Sequence, residues 1–220
     1  MPGADLEGVY TVTDLSKAIA VKRDVAEGKV NRAVLIGGGA IGLEIAESLA
    51  DLWGIETQVI ELQDQILPGV ISPNMARMIR HHLAANDVAV HVGEKVLRME
   101  GDGGRVQRLV TGNRTLETDL VIVAAGVTPN VDLAREAGLT ISPRGAIVVN
   151  AHMQTSDPAI FSGGDCVEIP NLITGKPGFW PLGSLANRQG RVIGSNLAGR
   201  SETFRGAVGS FVIKLFGLSL

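Results

Sequence analysis

The sequence predicts an α/β fold built on a doubly wound, Rossmann-like parallel sheet. An apolar run at Val34–Ile36 leads into the glycine-rich segment Gly37–Glu44 and then into an amphipathic pattern of helical period. A second apolar run, Gln58–Ile60, ends on the acid Glu61. Apolar strands that alternate with amphipathic helices are typical of parallel sheets with helical crossovers.

The elements before and after the glycine-rich segment follow from cap and turn residues. Residues 1–13 predict a linker or a connecting strand, and Asp14 is a suitable N-cap for a helix that ends near Glu27. Pro73 marks the start of a helix, which the strand Val88–Val92 follows.

Short polar/apolar alternations then replace the helical pattern. They occupy Glu94–Glu100, Arg105–Val110 and Thr115–Glu117, with glycine-rich turn sequences between them. This pattern predicts an antiparallel β-meander that serves as the crossover to the next parallel strand, Leu120–Ala124.

The last part of the chain does not look self-contained. It offers a strand at Ile147–Val149, a glycine-rich segment, a helix over 184–198 and an apolar ending at 211–216. Because this ending has neither a clear cap nor a polar tail, we expect a truncated protein.

Composition limits the class of protein. The chain has 220 residues, of which 45% are hydrophobic and 20% charged, which is typical of a globular protein with a real core. The net charge of −3 gives no reason to expect nucleic acid or an acidic membrane as a partner. The single cysteine, Cys166, excludes an intrachain disulfide and a multi-cysteine metal site. With no signal-peptide pattern and no membrane-length apolar run, we expect a cytoplasmic protein without a metal.

The segment Gly37–Glu44 contains G-x-G-x-x-G between a strand and a helix, which predicts a dinucleotide site. Gly37 permits the tight turn, Gly39 lets the backbone approach the pyrophosphate, and Gly42 lets the helix pack on the strand. The helix N-terminus then offers free N–H groups to the phosphates. Glu61, at the end of the second strand, is placed to accept hydrogen bonds from the adenosine ribose.

The same acid favours NAD over NADP. A 2′-phosphate beside Glu61 would be repelled, and the following residues, Leu62–Gln65, include no arginine to receive it. We therefore expect NADH to bind in preference to NADPH.

Several other residues are interpreted as structural. Helical spacing predicts one apolar face formed by Ile41, Ile45, Leu49 and Leu52, and core packing for Met75 and Met78. We expect His81 and His82 to lie on a solvated face, and Cys166 to be a small buried hydrophobe.

Three later segments resemble the pyridine nucleotide-disulfide oxidoreductase family of flavoproteins. Ala124–Asn130 is similar to its A-x-G-x-x-P-N loop, and Thr155–Asp165 to its T-x-x-x-x-[IV]-[FY]-A-x-G-D motif. Trp180–Arg191 looks like the helix that faces the flavin in that family. The sequences of the last segment and of Gly164–Cys166 are most similar to those of NADH oxidases, coenzyme A-disulfide reductases and persulfide reductases. Rubredoxin and nitrite reductases of similar build stay as alternatives.

The resemblance implies roles for further residues. Gly126 would lie along the nicotinamide, where Ile41 and Glu44 would shape the pocket, and Glu44 would help to position the two rings. Asp165 would receive a ribitol hydroxyl of FAD, and Gly183 and Ser184 would contact the flavin. No catalytic residue is expected in this chain.

The resemblance also implies a domain organisation. Residues 1–19 would be a linker or connecting segment, 20–145 an NAD(H)-binding domain, and 146–220 the C-terminal part of a split FAD-binding domain. The chain would be a fragment of a homodimeric parent, without the N-terminal FAD half-domain, its redox-active cysteine and the C-terminal interface domain. On its own it would bind NADH weakly and lack turnover.

Three functions stay open at this point. The first is the NADH-binding portion of an enzyme that passes a hydride from NADH to FAD and on to a disulfide or persulfide acceptor or to oxygen. The second is a stand-alone, non-enzymatic NAD(H)-binding module. A simple NAD-dependent dehydrogenase is the weakest, because the sequence has neither a Tyr-x-x-x-Lys pair nor a zinc constellation.

Overall fold

A computed structural model of the chain describes residues 1–210 and 212–220. The chain forms two compact units. The first comprises Met1–Gly126 together with Val212–Leu220, and the second begins at Val127 and includes the described residues up to Ser210. Among the described residues, no helix is long and apolar enough to cross a membrane.

The first unit contains alternating strands and helices followed by a meander. In chain order its elements up to Gly126 are β1 (Val9–Thr11), α1 (Leu15–Ala26), β2 (Arg32–Ile36), α2 (Ala40–Glu47), β3 (Glu56–Ile60), α3 (Pro73–Ala85), β4 (Val88–His91), β5 (Val96–Asp102), β6 (Arg105–Thr111), β7 (Thr115–Glu117) and β8 (Leu120–Val123). A π-helical turn, Ser48–Leu52, continues α2.

The central sheet of this unit is parallel, with strand order β1-β8-β2-β3-β4. The α/β fold class and its parallel sheet are therefore confirmed. Strands β5, β6 and β7, which follow β4 and precede β8 along the chain, form a separate antiparallel sheet. The alternating segments predicted this meander. The expected connecting segment at the N-terminus contributes β1, which pairs with β8 at one edge of the sheet.

Both faces of the parallel sheet are covered, which explains its nearly continuous apolar strands. Leu35 and Val59 pack with helical residues such as Leu43 and Leu83. The intervening strand residues, including Val34 and Ile60, pack instead with the meander through Met99 and Leu109.

The predicted apolar faces of two helices are partly wrong. In α2 the buried residues are Gly42, Leu43 and Ala46, whereas Ile41 is 51% exposed. The physical reason is the close contact at Gly42, which turns the helix face of Gly42, Leu43 and Ala46 toward the sheet. The face that carries Ile41 is therefore turned away.

Helix α3 departs from the expected face in the same way. Ala76, Ile79 and Leu83 are buried, and Met78 is 72% exposed, with Met75 also exposed. His82 is not on a solvated face, because it is half-buried and its Nε2 lies 3.1 Å from the carbonyl oxygen of Leu215.

The second unit is built from short elements. They are α4 (Asp132–Glu136), β9 (Ile147–Val148), β10 (Val167–Pro170), β11 (Pro177–Gly178) and α5 (Gly183–Leu197). The three strands form a sheet of order β11-β10-β9. Its core includes Met153, Ile169, Leu185 and Phe204.

The compact units divide the chain at Gly126 rather than near residue 145. Val131 and Ala134 belong to the core of the second unit with Met153, so the segment after Gly126 packs there. The last residues form a hairpin of β12 (Lys214–Leu215) and β13 (Leu218–Ser219), which belongs to the first unit. The assignment of NAD(H) and FAD to particular ranges stays a prediction.

Candidate functional site

The glycine-rich turn lies at the carboxyl end of the parallel strands, where β2 and β8 end side by side. Gly37 has a φ of 114°, and a Cβ there would overlap the carbonyl oxygen of Ala124. A Cβ on Gly42 would overlap the carbonyl oxygen of Gly37. Both positions therefore require glycine, one for the turn and one for the approach of α2.

Gly39 differs from these two glycines because it faces open space. It is the N-cap residue of α2, and among the described residues no side chain caps this helix and no atom would lie within 4 Å of a Cβ on Gly39. The first turn of α2 therefore has backbone N–H groups that no capping side chain satisfies, beside an unobstructed surface. This arrangement suits an anionic ligand such as a pyrophosphate.

Glu61 follows β3 and is 7% exposed. Its Oε2 accepts a hydrogen bond of 2.7 Å from the N–H of Gly38, and its Oε1 accepts one of 2.7 Å from the N–H of Gln63. The carboxylate is thus held beside the glycine turn in a fixed orientation. A carboxylate has about four lone-pair sites, so ribose hydroxyls could still donate to it.

The segment after Glu61 also holds the turn through the backbone. The N–H of Leu67 donates to the carbonyl oxygen of Gly38 at 2.8 Å. Leu67 is 2% exposed and has a φ of 46°, a conformation that costs energy in a leucine and is kept because its side chain is buried. The N–H and the carbonyl oxygen of Gly38 are therefore both hydrogen-bonded, a feature that the sequence did not predict.

The remaining candidate residues of the first unit are accessible. Ile41 and Glu44 are exposed on the first two turns of α2. Gly126 is exposed with a φ of 107°, in the loop that follows β8. The structure thus brings Gly37, Gly39, Gly42 and Glu61 together, while the contacts expected of Ile41, Glu44 and Gly126 stay predictions.

The other predicted residues lie in the second unit. Asp165 is exposed, and it follows Gly164, whose φ is 87°. Gly183 and Ser184 are exposed in the first turn of α5, which no side chain in the described part of the chain caps. An exposed carboxylate and a helix start without a capping side chain are groups that could hold a polyol and the polar edge of a flavin.

Gln189 is a residue of this region to which sequence reasoning assigned no role. It is 2% exposed on α5, and its Oε1 accepts a hydrogen bond from the N–H of Gly164. A signal was present, because Leu185, Gln189 and Ile193 recur at helical spacing and place a polar residue on an apolar face.

Cys166 is half-buried rather than fully buried. Its Sγ lies 3.4 Å from the Oγ of Ser162 and 3.5 Å from the carbonyl oxygen of Gly163. Within residues 1–210 and 212–220 there is no group of three or more His, Cys, Asp or Glu residues that could hold a metal ion.

Comparison with solved structures gives close matches. An FAD-dependent pyridine nucleotide-disulphide oxidoreductase from Desulfovibrio vulgaris is 61% identical, with a TM-score of 0.91 over 98% of this chain and 54% of that one. An NAD-dependent persulfide reductase from A. fulgidus is 39% identical, with a TM-score of 0.95 over 100% of this chain and 40% of that one.

Comparison of sequences points in the same direction. An NADH oxidase of Methanocaldococcus jannaschii is 35% identical over 99% of this chain and 48% of its own length. The chain therefore spans about half the length of this curated relative. The profile of the pyridine nucleotide-disulphide oxidoreductase family matches residues 1–183. The chain belongs to the pyridine nucleotide-disulphide oxidoreductase family.

Proposed function

We propose that this chain is the NADH-binding portion of a flavin-dependent oxidoreductase. The whole protein would pass a hydride from NADH to FAD, and electrons onward to a disulfide or persulfide acceptor or to oxygen. The observation that carries the proposal is the turn from Gly37 to Gly42, held against a buried Glu61. The persulfide reductase and the NADH oxidase among its relatives support the reaction class.

The residues of the first unit fit a bound NADH. Gly39 and the uncapped start of α2 would receive the pyrophosphate, because open space and free N–H groups coincide there. Glu61 would accept the adenosine ribose hydroxyls while it keeps its backbone bonds. Ile41, Glu44 and Gly126 would line the nicotinamide end.

The residues of the second unit fit part of an FAD site. The exposed Asp165 carboxylate would accept a ribitol hydroxyl, and Gly183 and Ser184 would present backbone N–H groups to the flavin. When bound, FAD supplies the two-electron chemistry that amino-acid side chains lack. The role of this chain would be to bind and orient the two cofactors.

Calorimetry with NADH and NADPH on the purified chain tests the proposal. We expect NADH to bind more tightly than NADPH. Glu61→Ala should weaken NADH binding by about tenfold to a hundredfold, since hydrogen bonds to a charged group contribute about 1.5–3 kcal/mol. Glu56→Ala is the matched control, because Glu56 is exposed at the opposite end of the same strand.

The other outcomes discriminate between functions. If neither nucleotide binds to the folded chain, the glycine turn is structural and the proposal fails. An absorbance scan of the full-length protein addresses the flavin. NADH binding with no flavin in that protein is the result expected of a stand-alone NAD(H)-binding module.

A further inference from the structure

Gln189 is a buried polar side chain on a largely apolar face of α5. It is 2% exposed, one turn after the buried Leu185. A buried amide is costly unless it is hydrogen-bonded. Here its Oε1 accepts a hydrogen bond of 2.5 Å from the backbone N–H of Gly164, so the side chain ties α5 to the turn that contains Gly163 and Gly164.

That turn lies directly against the helix. A Cβ on Gly163 would come within 2.9 Å of Ile193 Cδ1 and 3.2 Å of Gln189 Cβ. A Cβ on Gly164 would lie 3.6 Å from Ala186 Cβ. The absence of side chains in the turn thus allows its backbone to approach α5 closely enough for the Gln189 hydrogen bond.

The same helix and the same turn carry the groups assigned to FAD. The turn leads into the exposed Asp165. Helix α5 begins with the exposed residues Gly183 and Ser184. We infer that Gln189 is a positioning residue that fixes the Asp165 carboxylate relative to the start of α5, so that both reach one bound FAD. This inference rests on the proposed function.

The experiment measures FAD affinity in the full-length protein, by titration of the apoprotein and flavin fluorescence. Gln189→Leu keeps the approximate size of the side chain and removes the acceptor, which leaves the Gly164 N–H unsatisfied. We expect the Kd for FAD to rise by about tenfold to a hundredfold. Gln189→Glu retains an acceptor oxygen and should bind FAD more tightly than the Leu variant.

Two further measurements separate positioning from general damage. NADH affinity, measured at saturating FAD, should be unchanged in both Gln189 variants, because the proposed NADH contacts of this chain belong to the first unit. Gln107→Leu is the control, since Gln107 is exposed on β6 and should leave FAD affinity at the wild-type value. The N–H of Gly164 should exchange faster with solvent in Gln189→Leu than in the wild type.

A second variant keeps the inference testable if Gln189→Leu does not fold. Gly163→Ala places a Cβ 3.2 Å from Gln189 Cβ as well as against Ile193 Cδ1, so the turn and α5 should move apart by a few tenths of an ångström while the Gln189 amide is intact, and FAD binding should also weaken. Wild-type FAD affinity in folded Gln189→Leu, or in Gly163→Ala, overturns the inference. A wild-type protein that binds no FAD overturns the proposed function instead.

Discussion

Glu61 combines a role in the fold with the role proposed for it in ligand binding. Its carboxylate accepts backbone bonds from Gly38, in the glycine turn, and from Gln63, in the loop after β3. These bonds hold the acceptor oxygens in one orientation, so the proposed binding of a ribose would cost less conformational freedom. Replacement by alanine would therefore remove the proposed ligand contact and an internal support of the turn at the same time.

His91, at the end of β4, gives a prediction about pH. Burial lowers the pKa of His91 below its ordinary value of 6.5, Arg114 and Arg80 lower it further, and Glu94 opposes them. The unfolded chain therefore binds more protons than the folded one between the lowered pKa and 6.5. Stability is lost as the pH falls through this window, and His91 contributes no pH dependence above it.

We expect His91→Gln to reduce the loss of thermal stability between about pH 7 and about pH 5. Differential scanning calorimetry across this range measures it. His81→Gln is the control, since His81 is exposed on α3. An unchanged slope of Tm against pH in His91→Gln would show that His91 does not carry this dependence.

Among the elements, the C-terminal hairpin is bound to the first unit by both polar and apolar contacts. The N–H of Phe216 donates to Glu47 Oε1 at 2.7 Å, and the ring of His82 lies edge-on to Phe216 with 6.3 Å between centroids. Ile213 and Leu215 are 2% and 0% exposed and belong to the core cluster in which Leu43 packs on the parallel sheet. The hairpin is therefore part of the core of this unit.

Leu215→Ala should destabilise the first unit by about 2–5 kcal/mol, the usual cost of truncating a fully buried leucine. Lys214→Ala, at the exposed neighbouring position of β12, should change stability by less than about 0.5 kcal/mol. Urea unfolding followed by Trp53 fluorescence, in a Trp180→Phe background, reports on the first unit alone. Equal midpoints for the two variants would contradict the packing described for Leu215.

The elements also show which features a sequence can predict. The parallel strands and the meander followed from apolar runs and turn residues, and Asp14 caps α1 as expected, with its side chain accepting from the N–H of Lys17. The hairpin contacts could not be predicted, because Glu47 and Phe216 are far apart in sequence. For Gln189 the helical spacing marked a polar residue on an apolar face, but its partner Gly164 could not be predicted, because the two become neighbours only when the chain folds.

At the scale of the whole molecule, the two compact units should respond differently to NADH. A ligand that binds only the folded state stabilises it by about 2.7 kcal/mol at a hundred times its Kd. The proposed NADH contacts all belong to the first unit, from Gly37 to Gly126. At that concentration we therefore expect NADH to lower the exchange rate of some β2 and β3 amides by about a hundredfold. These are the amides that exchange only when this unit unfolds.

Hydrogen exchange followed by mass spectrometry compares these amides with those of β10 and α5 in one sample. Peptides from the second unit should keep their exchange rates, because NADH has no proposed contact there. The Glu61→Ala variant, at the same NADH concentration, should show a smaller effect in the first unit. An equal decrease in exchange rate in both units would mean that they unfold as one cooperative structure or that NADH binds elsewhere. Either result would contradict the proposal that NADH binds to the first unit and stabilises it alone.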